Sequence, residues 1–114
     1  MATGRPTSIA DLLSAGERSF SFEFFPPKDA AGEEVLWRSL GELEELRPTF
    51  VSVTYGAGGT TRDRTIEITG RIAKETSMTP MAHLTCVGHT VTELDEVLDL
   101  LAEAGVCNVL ALRG

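Results

Sequence analysis

Apolar and polar residues alternate with period two along Phe20-Ser21-Phe22-Glu23-Phe24-Phe25, the pattern of a strand with one buried face. Pro26-Pro27 ends it, because proline supplies no ladder donor. The period then changes. Leu36, Leu40, Leu43 and Leu46 recur at spacings of four, three and three, which predicts an amphipathic helix closed by Pro48. Phe50-Val51-Ser52-Val53-Thr54-Tyr55, rich in β-branched and aromatic residues, reads as a second strand running into the turn Gly56-Ala57-Gly58-Gly59. A second helix is expected to open around Thr60, with Asp63 completing a capping box, and to bury Ile66, Ile72 and Ala73. Met81-Ala82-His83-Leu84-Thr85-Cys86 predicts a third strand. Thr90 and Glu93 form a capping box for a third helix, whose Leu94, Val97, Leu98 and Leu101 share a face and which Gly105 stops. Cys107-Asn108-Val109-Leu110-Ala111-Leu112 is the fourth strand, followed by Arg113-Gly114.

Strands alternating with helices imply parallel pairing through crossover helices, an α/β architecture. The unit recurs about every 30 residues, the size of a βα repeat, which leaves a doubly wound sheet or a barrel. Side-chain alternation separates the two. One face of each strand carries Phe20, Phe22 and Phe24, or Val51, Val53 and Tyr55; the other carries Ser21 and Glu23, or Ser52 and Thr54. A doubly wound sheet is covered by helices on both faces, whereas a barrel points its second face into a lumen. The chain therefore reads as the N-terminal half of a (β/α)8 TIM barrel, with residues 1–18 an N-terminal segment carrying a short helix and 19–114 an incomplete barrel of four strands and three helices. An open half barrel exposes strand edges and one sheet face, which favours self-association.

Composition narrows the function. The 114 residues are 42% hydrophobic, enough for a core, and carry a net charge of −7 with no clustering of the ten Lys and Arg residues, so a nucleic-acid footprint is missing. No apolar run reaches the roughly 18 residues of a membrane helix, and Met1 to Ala10 lacks a hydrophobic signal region. A cytoplasmic protein without membrane attachment is expected. Cys86 and Cys107 lie far apart, which suits reduced thiols acting as packing residues.

In barrels the reactive groups stand at the C-terminal ends of the strands. The last inward positions of the four strands are expected to be Glu23, Thr54, His83 and Arg113, spaced 31, 29 and 30 residues apart. An acid among phenylalanines is costly without a task, and burial there would favour its protonated form, suiting a general acid. Thr54 is equally consistent with strand packing, and His83 alone with a satisfied core histidine. No second His or Cys sits at a zinc-like spacing from His83, so no metal is expected. Arg113 at a strand end fits a phosphate or carboxylate, or a surface ion pair. The glycine-rich turn before a helix N-terminus brings backbone close to a ligand, with Arg62 and Arg64 beside it, but it matches neither phosphate-loop pattern.

These segments resemble the methylenetetrahydrofolate reductase family. The likeness rests on Phe22-Glu23-Phe24-Phe25-Pro26-Pro27-Lys28, Val51-Ser52-Val53-Thr54-Tyr55-Gly56-Ala57-Gly58-Gly59, Arg62-Asp63-Arg64-Thr65, His83-Leu84-Thr85-Cys86 and Ala111-Leu112-Arg113-Gly114, in family order and at family spacing. The resemblance implies an eight-stranded barrel that binds FAD and reduces 5,10-methylenetetrahydrofolate to 5-methyltetrahydrofolate with NAD(P)H, the complete protein being a homo-oligomer. It implies that Glu23 is the acid that protonates the bridging folate nitrogen. Thr54 matches a position near flavin and nicotinamide; Tyr55, Ala57, His83, Arg113 and Gly114 match flavin contacts. The family pattern continues past Arg-Gly with an aspartate and four further strands. Two other readings stay open: a different flavin- or phosphate-binding barrel in which Glu23 is a general base, and a non-catalytic barrel fragment.

Overall fold

The computed structural model describes residues 7–55 and 59–114, and for 59–61 the backbone alone. Along the chain run α1 (Ile9–Ser14), β1 (Ser21–Phe24), α2 (Ala30–Glu44), β2 (Phe50–Val53), α3 (Gly59–Glu75), β3 (Pro80–Thr85), α4 (Val91–Glu103) and β4 (Val109–Leu112). The strands form one parallel sheet in the order β1-β2-β3-β4. This is the arrangement of the first half of a (β/α)8 barrel, as the alternation of periods predicts.

Burial follows the alternation. Leu36 and Leu40 of α2, Val51 and Val53 of β2, Ile68 and Ile72 of α3, and Met78 form one apolar cluster, with Phe22 and Phe24 of β1 packed against it. Ala82 and Leu84 of β3, Val97 and Leu101 of α4, and Val106 form a second. The three long helices thus cover the sheet face that carries the even positions of β1 and the odd positions of β2. The opposite face carries Ser21, Glu23, Ser52, Met81, His83, Leu110 and Leu112 by the same alternation. Leu110 and Leu112 remain 38% and 37% exposed there, so this inner face is open in the chain as it stands.

Several element ends differ from the sequence reading. Helix α2 stops at Glu44, ahead of Pro48, and the chain reverses through Arg47 in the left-handed region at φ 53°. Leu46 lies beyond the helix and is exposed. Helix α3 already includes Gly59, so Thr60 is a helical residue and not its N-cap. In α4 the capping box between Thr90 and Glu93 is present, but Leu98 points away from the core and is 42% exposed. Its neighbours Leu94, Val97 and Leu101 suffice for the buried stripe. Cys86 is half-buried, whereas Cys107 is exposed and has no packing role.

Helix α1 is fixed across the N-terminal end of the sheet. The Asn108 side chain accepts from the Ile9 backbone N–H at 3.0 Å and donates to the Thr7 carbonyl at 2.8 Å. Ile9 is buried beside it. The C-terminal strand ends, on the other side of the sheet, stay clear of this segment. On the helical layer, Glu33 of α2 faces Arg64 at 3.7 Å and Arg71 at 3.4 Å, both on α3, and Arg71 stacks over the Trp37 ring at 4.0 Å. These pairs are half-buried between the two helices, and the Arg64 nitrogen that faces Glu33 is itself buried.

Gly70 of α3 lies against Ala104, the C-cap of α4, where an added Cβ would stand 2.9 Å from Ala104 Cβ. Alanine there gains about 1 kcal/mol of helix propensity but overpacks a contact that costs about 1–3 kcal/mol. Gly70→Ala should destabilise the protein by a net value of about 1 kcal/mol in urea unfolding, and Ala104→Gly should restore it. A neutral or stabilising Gly70→Ala would disprove the close contact.

Three carboxylates are held below their ordinary range. Glu44 is lowered by the Ser77 backbone N–H and hydroxyl, Glu75 by Arg71, and Glu93 by the backbone N–H and then the side chain of Thr90. Their contribution is therefore present above the unfolded value of 4.5 and is lost as pH falls through the lower folded values. Unfolding midpoints should drop on acidification below about pH 4.5. Replacing all three with Gln should flatten that part of the profile; an unchanged slope would show that these contacts are not the linked groups.

Candidate functional site

The open inner face gathers the polar residues of β1, β2 and β3. Glu23 stands directly opposite Ser52 in the parallel register, and Met81 continues that row. The Ser52 hydroxyl, on a residue only 4% exposed, donates to Glu23 Oε1 at 3.3 Å. His83 Nε2 lies 3.2 Å from the same oxygen. That nitrogen is buried and makes no aligned hydrogen bond among the described residues, so its contact with Glu23 is one of proximity, electrostatic if the ring is protonated. The Glu23 side chain is 53% exposed. Within these 114 residues the phenylalanines point to the helical face and the carboxylate to the open one.

The four expected positions do not fall on one level. Extending the β2–β3 register by one residue pairs Thr54 with His83, one step beyond the row of Glu23 and Ser52. On β4, Leu110 and Leu112 share the inner face with His83 and Thr85. Alternation then gives the next inward position to Gly114, not Arg113. A repeat spacing of 30 residues misses this because strand stagger shifts parity between neighbours. The ladder continues past the strand ends, with Val87 N–H donating to the Arg113 carbonyl at 3.0 Å. Gly114 has φ 95°, and a Cβ there would collide with Val87 and with Thr85. Only glycine fits that position. Arg113 is exposed and pairs with no described carboxylate.

The end of β2 is held by α3. Thr65, almost fully buried, donates from Oγ1 to the Thr54 carbonyl at 2.8 Å, and Thr69 Oγ1 donates to the Thr65 carbonyl at 2.6 Å. Thr65 and Ser52 are the two positions that sequence reasoning passed over as site residues. Ser52 was visible only as an inward polar position, and Thr65 only as part of the Arg-Asp-Arg-Thr segment. Tyr55 falls on the helical side, where it packs against the second apolar cluster. Its hydroxyl lies 3.0 Å from His89 Nε2, with the rings edge to face. Burial raises the Tyr55 phenol above its ordinary range, with Arg62 opposing, so it remains a neutral hydrogen-bonding group at physiological pH. Ala57 lies outside the described residues.

The structure therefore brings Glu23, Ser52 and His83 together, places Thr54 beside them along the strand, and sets Arg113 and Gly114 at the far edge. What this set offers chemically is a carboxyl group reachable from the open face, with one oxygen engaged. Among the described residues no three His, Cys, Asp or Glu side chains converge as metal ligands would.

A family model described as methylenetetrahydrofolate reductase matches residues 8–114. A 5,10-methylenetetrahydrofolate reductase of Pectobacterium carotovorum is 43% identical over 107 residues, 94% of this chain and 35% of the relative. The corresponding protein of Escherichia coli is 42% identical over 107 residues, 94% of this chain and 36% of its own length. A methylenetetrahydrofolate reductase (NADH) of Arabidopsis thaliana is 42% identical over 106 residues, 93% of this chain and 18% of the relative. The chain thus spans about a third of the bacterial relatives and less than a fifth of the plant one. With an open half barrel, a strand-end carboxylate and a family match from residue 8 to residue 114, this chain belongs to the methylenetetrahydrofolate reductase family.

Proposed function

We propose that this chain supplies the acid-bearing half of the active centre in a flavoprotein that reduces 5,10-methylenetetrahydrofolate to 5-methyltetrahydrofolate with NAD(P)H. The observation that carries the reading is Glu23: a carboxyl group on the open inner face, half-exposed, with Oε1 tied to Ser52 and bordered by His83. As a general acid it gives its proton to the bridging nitrogen of the folate, the five-membered ring opens to an iminium, and the carboxylate left behind offsets that positive charge. Reduction of the iminium completes the methyl group.

FAD, when bound, supplies the hydride and regains it from the nicotinamide. The residues present fit such a group: His83 Nε2, on the inner face of β3, is a buried nitrogen lacking an aligned partner. By the family resemblance Thr54, Tyr55, Ala57, His83, Arg113 and Gly114 would hold it, Tyr55 from the helical side of the β2 end, with the exposed Arg113 cation suited to an anionic portion. The two unpaired thiols, Cys86 and Cys107, support a reducing, cytoplasmic setting. Val91 and Leu98, seven residues apart on the outer side of α4 and 76% and 42% exposed, support a homo-oligomer.

In the native, full-length protein with its flavin bound, Glu23→Gln should slow folate-dependent reoxidation of the flavin by about 100-fold or more. Reduction of the flavin by NAD(P)H should be unchanged, both half-reactions being followed by stopped-flow flavin absorbance. Equal losses in the two half-reactions would rule out the acid role.

A further inference from the structure

Two neighbours crowd one oxygen of Glu23, and among the described residues none reaches the other. Oε1 accepts from Ser52 Oγ at 3.3 Å and lies 3.2 Å from His83 Nε2, whereas Oε2 has no partner among the described residues. Of the two neighbours only Ser52 makes an aligned hydrogen bond, since His83 Nε2 fails that test. Ser52 is also the more firmly placed. It stands in the middle of β2, 4% exposed, between the fully buried Val51 and Val53, and directly across the ladder from Glu23.

We propose that Ser52 is a positioning residue for the acid, holding Oε1 so that the transferable proton is carried by Oε2 toward the open face. The inference rests on the acid role of Glu23 given above. A neutral carboxyl group has one protonated oxygen and one that only accepts. A proton on Oε1 would be turned into the Ser52–His83 side and withheld from a ligand on the inner face. With the Ser52 hydroxyl donating to Oε1, the productive arrangement is Oε2–H. When that proton passes to a substrate nitrogen, the O–H bond breaks and the N–H bond forms, and its electron pair stays on the carboxylate. The Ser52 hydrogen bond then strengthens, because its acceptor has become an anion. Ser52 therefore favours the state after transfer over the state before it, which is the condition for accelerating the step.

The test uses the native, full-length, flavin-loaded protein and the two half-reactions separately. Ser52→Ala should slow folate-dependent flavin reoxidation about tenfold, the scale of one charge-assisted hydrogen bond. It should leave flavin reduction by NAD(P)H and the KM for folate unchanged. Ser52→Thr, which keeps the hydroxyl, should recover most of the rate. In a Glu23→Gln background Ser52→Ala should add nothing, since residues that act through one another are not additive. Loss of flavin in Ser52→Ala, or equal loss in both half-reactions, would mark a structural role and overturn the proposal. A silent Ser52→Ala beside a selectively impaired Glu23→Gln would remove Ser52 alone. If Glu23→Gln shows no selective loss, the acid assignment itself falls and the proposal with it.

Discussion

The sheet of this chain is buried on one side only, and the rest of the structure depends on how that side is sealed. Val51 and Val53 of the central strand β2 meet Leu36 and Leu40 from α2 and Ile68 and Ile72 from α3. Each such side chain contributes about 1.5–3 kcal/mol on burial. The half-buried ion pairs of Glu33, Arg64 and Arg71 on the same helices add to this seam but do not form it. The apolar seam therefore fixes which face of each strand turns to the helices. By strand alternation it also fixes which residues are left on the other face.

Function follows from that division. Once Phe22 and Phe24 are committed to the seam, Glu23 has to project from the opposite face, and so does Ser52 once Val51 and Val53 are buried. The parallel register then sets the two side by side, and β3 adds His83 within 3.2 Å. The environment of the carboxyl group in this chain is made of specific neighbours, one hydroxyl and one imidazole, on a surface open to a ligand.

The ends of the strands are secured by different means on each side of the sheet. At the N-terminal end, Asn108 ties down the segment leading into α1 with two hydrogen bonds. At the C-terminal end, Thr65 reaches from α3 to the Thr54 carbonyl, and the ladder between β3 and β4 continues through Val87 and Arg113. The end that carries the polar residues is thus braced by the helical layer, while α1 occupies the other end.

The sequence by itself determined the alternation of strands and helices, the α/β class and the polar inner positions of β1 and β2. These depend on local periodicity, and periods of two and 3.6 residues are written directly in the positions of Phe22, Phe24, Val51, Val53, Leu36, Leu40, Val97 and Leu101. The capping box of Thr90 and Glu93 was legible for the same reason, since its partners lie three residues apart. Tertiary structure decided what no local pattern contains. Strand stagger gave the inner position to Gly114 rather than Arg113, and the parallel register made Ser52, one inward polar position among several, the hydrogen-bond donor of Glu23. Register between strands about 30 residues apart is set by packing of the whole sheet against its helices, and that is information the order of residues carries only collectively.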